Sequence, residues 1–89
     1  MKDVNTERIY EINDYPATIG KVYGMASVVI DSPGISRMHA QISYKNGKYY
    51  LCDIGSSNGT YLNGLLVEDD IQLEEDDEII FGNVHMLWK

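Results

Sequence analysis

Two short polar stretches carry most of the chemistry this chain offers. One is Ser32-Pro33-Gly34-Ile35-Ser36-Arg37-Met38-His39-Ala40. The other is Asp53-Ile54-Gly55-Ser56-Ser57-Asn58-Gly59-Thr60-Tyr61-Leu62-Asn63-Gly64. Together they hold a guanidinium, several hydroxyls, amide side chains and a Gly-rich backbone with free N–H groups. An Arg fork, hydroxyl donors and backbone amides are what a phosphate dianion needs. Both stretches join apolar runs, so both read as loops, where binding residues usually lie. Catalysis fits the same residues poorly. Ser36, His39 and Asp53 suggest a triad, but no Gly-x-Ser-x-Gly elbow is present, and Ser36 and His39 lie three residues apart at a loop–strand junction. Neither Gly20-Lys21 nor Gly47-Lys48 has the glycine spacing of a P-loop. His85 lies in the last apolar run with no ligand partner nearby.

The elements that must position these loops are strands. Apolar residues never recur at i, i+3, i+4 over a helical length; they come in short runs bounded by turn residues. The expected strands are Ile9–Ile12, Ala17–Lys21, Ser27–Ile30, His39–Tyr44, Lys48–Asp53, Thr60–Asn63, Leu65–Val67, Glu78–Phe81 and Val84–Lys89. Asn46-Gly47 and Asn63-Gly64 are strong hairpin signals, because both residue types accept a positive φ. Residues 39–53 therefore read as a hairpin. Its first arm alternates Ala40, Ile42 and Tyr44 with His39, Gln41 and Ser43, the half-buried pattern. In its second arm, Tyr49 to Cys52 are all partly apolar and leave the inward face open. Many short strands at this spacing make an all-β sandwich or barrel. The aromatic residues Tyr44, Tyr49, Tyr50, Tyr61, Phe81 and Trp88 read as core or half-exposed sheet rather than as a binding platform. Neither an internal repeat nor a linker interrupts the pattern.

Length and charge narrow the classes further. The 89 residues, 44% hydrophobic and 24% charged, make one globular domain. Cys52 is the lone cysteine, so no intrachain disulfide closes. No apolar run approaches about 18 residues, and MKDVNTERIY lacks a hydrophobic signal core. Seven Lys and Arg against fourteen Asp and Glu give a formal charge of −7, which excludes a nucleic-acid backbone binder. The surplus is local. Glu68, Asp69, Asp70, Glu74, Glu75, Asp76, Asp77 and Glu78 hold eight of the fourteen acids, and the rest of the chain is close to neutral. This stretch reads as a solvated acidic loop region. It lacks the glycine of a calcium loop, and no metal is expected. Two cations within about 4 Å of a phosphate outweigh acids lying beyond a Debye length of about 8–10 Å.

Four blocks now stand in order: Thr18-Ile19-Gly20-Lys21, Ile35-Ser36-Arg37-Met38-His39-Ala40, Asp53 to Gly64, and Asp77-Glu78-Ile79-Ile80-Phe81-Gly82. This series resembles the forkhead-associated (FHA) domain, over about residues 6–89. The resemblance implies a β-sandwich of two mostly antiparallel sheets, about eleven short strands in all, with ligand loops at one end. It implies a non-catalytic, phosphothreonine-binding adaptor without cofactor, whose partner is a protein phosphorylated by a Ser/Thr kinase. Ser36 resembles the serine whose hydroxyl and backbone N–H contact the phosphate, and Arg37 the next phosphate-facing position. Ser57 resembles the position beside the phosphothreonine, and Asn58 the asparagine that bonds the peptide main chain. His39 resembles the structural histidine that braces the Ser36 loop. Gly20, Gly59, Thr60 and Asn63 are assigned structural support, with Asp53 and Ser56 as internal loop braces. One position departs from the pattern: the family usually has Gly-Arg where this chain has Gly20-Lys21, which keeps the charge and loses the bidentate fork. The first loop offers Pro33, Gly34 and Ile35, and suggests an apolar or relaxed preference around the phosphothreonine. Residues 1–89 are expected to form one monomeric module of a longer protein, in the cytoplasm or on the cytoplasmic face of a membrane-linked parent. The alternative on the same fold is a domain that has lost phosphate binding and pairs with proteins independently of phosphorylation.

Overall fold

The hairpin at Asn46-Gly47 forms as its sequence dictates. Both residues take positive φ, 52° and 80°, and strand Ala40–Lys45 pairs with Lys48–Asp53 from Ala40↔Asp53 to Lys45↔Lys48. Its inward face, open in the sequence, is set by Leu51, which is fully buried beside Ala40 and Ile42. The computed structural model describes residues 1–89 and contains ten strands and no helix. In chain order they are β1 (Lys2–Asp3), β2 (Ala17–Gly20), β3 (Val28–Val29), β4 (Ala40–Lys45), β5 (Lys48–Asp53), β6 (Thr60–Leu62), β7 (Leu65–Leu66), β8 (Ile71–Leu73), β9 (Glu78–Phe81) and β10 (Val84–Leu87). They form two five-stranded sheets, β1-β10-β9-β6-β7 and β3-β2-β4-β5-β8, antiparallel except for β2 with β3.

The core lies between the sheets. Ile19, Ile42, Leu51, Ile79, Phe81 and Met86 are fully buried at its centre, within a cluster of seventeen buried apolar residues. Each such side chain contributes roughly 1.5–3 kcal/mol on leaving water. Every buried side-chain N or O has a hydrogen-bond partner. Tyr15, Tyr44, Tyr49 and Trp88 pack as a chain of rings with centroids 4.9–6.3 Å apart. Phe81 and Trp88 are core residues, whereas Tyr44 is half exposed.

The ten strands in two mostly antiparallel sheets form the expected sandwich. Two expectations need correction. Ile9–Ile12 is not a strand: its pairing with β1 is limited to one isolated bridge, Ile9 to Lys2, and the bonds between Tyr10 and Met1, and Ile9 is 62% exposed. The acidic stretch 68–78 is not one loop region. It contains β8, whose Leu73 is buried opposite Tyr49, and the first residue of β9. β8 therefore splits the acids between the two ends of the sandwich. Asp70 sits beside Cys52 near the end of β5; burial and then the Asp70 carboxylate push the Cys52 thiol up. Val67, just upstream, donates its N–H to Thr60 O at 2.8 Å. Glu74–Asp77 form a turn at the other end. There Asp77 accepts from the Glu74 N–H, and Asp76 pairs with Lys89 at 3.2 Å.

Candidate functional site

Where β2, β4, β5, β6 and β9 end or begin together, the two polar loops meet. Gly20 explains how they approach. A Cβ at this position would lie 2.0 Å from the Arg37 carbonyl oxygen, so only glycine lets the 36–38 backbone pack against the end of β2. That packing is held by the Lys21 N–H, shared between the carbonyls of Ser36 at 3.0 Å and Arg37 at 3.2 Å. The bond fixes the two cations, Lys21 and Arg37, on adjoining segments.

His39 joins the loops from below. Its ring is fully buried and meets Phe81 edge-on, centroids 6.0 Å apart. Nδ1 accepts the Ser36 N–H at 3.1 Å, and Nε2 lies 2.8 Å from Gly59 O. An acceptor at Nδ1 and a carbonyl at Nε2 require the neutral ring with its proton on Nε2. Neither nitrogen is free to take a proton from a hydroxyl, so the ring cannot serve as a general base for Ser36. The imagined triad is absent in a second respect: Asp53 bonds Ser56, Thr60 and the loop backbone rather than His39.

Asp53 organises the second loop. Oδ1 accepts the N–H groups of Gly55 at 2.8 Å and Ser56 at 2.9 Å. Oδ2 accepts the hydroxyls of Ser56 and Thr60, and the Ser56 hydroxyl in turn accepts the Gly59 N–H at 3.0 Å. Partial burial alone would raise the Asp53 pKa; the hydrogen bonds, led by those from Ser56, overcome it and hold the value at about 2. The first loop is tied across to the second by Ser57 N–H to Ser36 Oγ at 3.0 Å, and by Asn58 Nδ2 to Gly34 O at 3.1 Å.

These braces leave a set of groups unspent. Lys21, Ser36, Arg37, Ser57 and Asn58 line one open depression of about 530 Å³, together with Pro33, Ile35, Met38 and Gly55. Lys21 and Arg37 are exposed, and neither pairs with a carboxylate; the ion pairs of the chain are Lys2–Glu7, His85–Glu78 and Lys89–Asp76. The main-chain N–H groups of Arg37 and Asn58 donate to no protein atom. The Ser36 hydroxyl accepts from Ser57 and keeps its own proton for an outside acceptor. Two free cations, a hydroxyl donor and free amides around one depression suit an anion with several oxygens.

The family model described as "FHA domain" matches residues 17–82. The chain belongs to the FHA family. FHA domains are binding modules, not catalysts. Among curated relatives, GarA, the glycogen accumulation regulator of Mycolicibacterium smegmatis, is 29% identical over 75 residues, which cover 84% of this chain and 47% of GarA. The chloroplastic zeaxanthin epoxidase of Spinacia oleracea is 48% identical over 54 residues, 55% of this chain and 8% of that protein. The chain thus spans less than half of either relative. Among solved structures, Mycobacterium tuberculosis EmbR in complex with a low-affinity phosphopeptide superimposes with a TM-score of 0.89 at 26% identity. That match covers 97% of this chain and 22% of EmbR.

Within this FHA domain the sequence assignments divide. Lys21, Ser36, Arg37, Ser57 and Asn58 come together, and Gly20, His39, Gly59 and Thr60 brace them. Two details are corrected. The Ser36 N–H is taken by His39 Nδ1, so the free amide in this loop is that of Arg37, one residue on. Asn63 does not support the loops: its side chain accepts the Glu78 N–H at 2.9 Å and donates to Asp77 at 3.0 Å, beyond the far end of β6. Sequence reading also missed the floor of the first loop. A Cβ on Gly82 would lie 2.1 Å from Gly34 O, and one on Gly34 would lie 2.1 Å from Asn83 Oδ1, so the β9–β10 turn seats residues 32–34.

Proposed function

We propose that this FHA domain binds proteins phosphorylated on threonine and acts as a non-catalytic, cytoplasmic adaptor module carried within a longer protein. The observation that carries the reading is the pair of unpartnered cations, Lys21 and Arg37, beside the Ser36 hydroxyl and the free Arg37 amide in one depression. A phosphothreonine brings about −1.5 to −2 charges at pH 7 and several acceptor oxygens, which these donors complement. The phosphopeptide complex of EmbR supports the same reading. In it, Lys21 and Arg37 hold the phosphate by charge, and the Ser36 hydroxyl and Arg37 N–H add directional bonds. Asn58, fixed by Gly34 O, offers its free amide oxygen to the peptide main chain.

Fluorescence anisotropy with a phosphothreonine peptide and its unphosphorylated twin tests this. Saturable binding of the phosphorylated peptide alone is expected. Arg37→Ala removes a charge-assisted contact worth about 3 kcal/mol, a loss of more than about 100-fold that takes binding below detection. Equal binding of both peptides would overturn the proposal in favour of a phosphorylation-independent domain.

A further inference from the structure

A second and larger depression, of about 690 Å³, opens at the end of the sandwich away from the phosphate-facing loops. Tyr49 places it: this residue stands near the start of β5, whose other end carries Asp53 in the second loop. Leu73, the last residue of β8, and Trp88, just past β10, line it as well. The other lining segment precedes β2. There the Met1 ammonium donates to Tyr10 O at 2.9 Å and the Tyr10 N–H to Met1 O at 2.8 Å, which holds Tyr10 and Glu11 along the depression. Tyr15 joins the two sides. Its ring centroid lies 5.2 Å from that of Tyr49, which lies 5.2 Å from that of Trp88, so three lining rings pack in series.

The charges along this aromatic lining do not balance. Glu11 and Glu75 both line the depression, both are exposed, and neither pairs with a cation. Glu75 is held there by its neighbours: the Asp76 N–H donates to Trp88 O at 2.7 Å, and the Trp88 N–H to Asp77 O at 2.9 Å. The nearby cations are already engaged. Lys89 pairs with Asp76 at 3.2 Å, the Met1 ammonium bonds Tyr10 O, and the Arg8 guanidinium stands 4.8 Å from the centroid of the Tyr10 ring.

We propose that this depression docks a lysine- or arginine-bearing segment of a partner protein, with the aliphatic stem on the aromatic lining and the cationic head at Glu11 or Glu75. Charge complementarity selects that occupant. Apolar surface alone takes any hydrophobic side chain, but the two unpaired carboxylates repel an acidic segment and gain nothing from a neutral one. A long basic side chain suits both features, since its stem covers apolar surface while its head stays at the wet rim. Aromatic rings attract the same head. A second copy of this chain, itself at −7, is repelled by the acidic end rather than drawn to it. Neither Lys21 nor Arg37 lines this depression, so one domain can hold a phosphothreonine at one end and a basic segment at the other.

An NMR titration of the chain with the unphosphorylated peptide Ala-Leu-Arg-Leu-Ala tests this. Two further peptides carry at the centre either citrulline, which keeps the shape of arginine and loses its charge, or glutamate. With the arginine peptide, amide shifts concentrated at Tyr10, Tyr15, Tyr49, Leu73 and Trp88 are expected. It should bind at least about fivefold more tightly than the citrulline peptide, and the glutamate peptide more weakly still. The double variant E11Q/E75Q, altered only at exposed side chains, should bring the arginine and citrulline peptides within about twofold of each other. Absence of shifts at these residues with millimolar arginine peptide, equal binding of the three peptides, or an arginine preference that survives in the variant overturns the proposal. Broadening of the same amides with rising protein concentration and no peptide also overturns it, because the occupant is then a second copy. All of these outcomes leave phosphothreonine binding at the opposite end untouched.

Discussion

Lys21 stands where the family resemblance leads one to expect arginine. Its ammonium is a compact, strongly hydrated charge without the fork that meets two phosphate oxygens at once. Lys21→Arg is therefore expected to leave phosphopeptide affinity equal or raise it several-fold by calorimetric titration; a clear loss would mean that residue 21 does not face the phosphate. Asp53 works in the other direction, as an internal anchor. Its carboxyl is held at about 2 against an ordinary 3.8. A depressed value means that the stabilisation is complete above about pH 4 and is lost as pH falls from there through about 2. Asp53→Asn removes the charged acceptor and should cost about 1–3 kcal/mol at pH 7. Acid unfolding, followed through the buried Trp88, should show the difference from the parent shrinking below pH 4. A constant difference down to pH 2 would remove Asp53 from that role.

At the scale of elements, the site depends on how closely the end of β2 approaches the Ser36-Arg37-Met38 segment. Gly20→Ala places a methyl 2.0 Å from a carbonyl oxygen and must force the two apart. A loss of about 2 kcal/mol or more in urea unfolding is expected, with weakened peptide binding in the fraction that folds. The hairpins were legible because Asn46-Gly47 and Asn63-Gly64 encode positive φ locally, at 52° and 80° and at 48° and 86°. β8 was not legible. Its three residues hold one inward side chain, Leu73, between acids, and it is a strand because β5 offers an edge to pair with. Ile9–Ile12 falls short of a strand for another reason: it meets β1 through the bridge of Ile9 to Lys2 and the bonds between Tyr10 and Met1, and the pairing goes no further along the segment. The loop residues read well because Ser36, Arg37, His39, Ser57 and Asn58 sit in a contiguous motif. The role of Arg37 N–H and the seating of Gly34 on Gly82-Asn83 arise from contacts between distant segments, which no single stretch encodes.

For the whole molecule, the net charge of −7 at first argues against an anionic ligand. The fold resolves this by position. Glu74–Asp77 lie at the end remote from the loops, beside Lys89 and Trp88. Glu68–Asp70 share the ligand end, on the crossing from β7 to β8. On the proposed reading, a phosphate would be held by the local cations Lys21 and Arg37, at the end of the sandwich that also carries Glu68–Asp70, and not by the molecule's overall field. The central claim is that this site recognises phosphothreonine. It is tested most directly by an NMR titration with matched phosphothreonine, phosphoserine and unphosphorylated peptides. With the phosphothreonine peptide alone, amide shifts concentrated at Lys21, Ser36, Arg37, Ser57 and Asn58 are predicted. Shifts at those residues with the unphosphorylated peptide, or phosphopeptide shifts confined to another face, would contradict it.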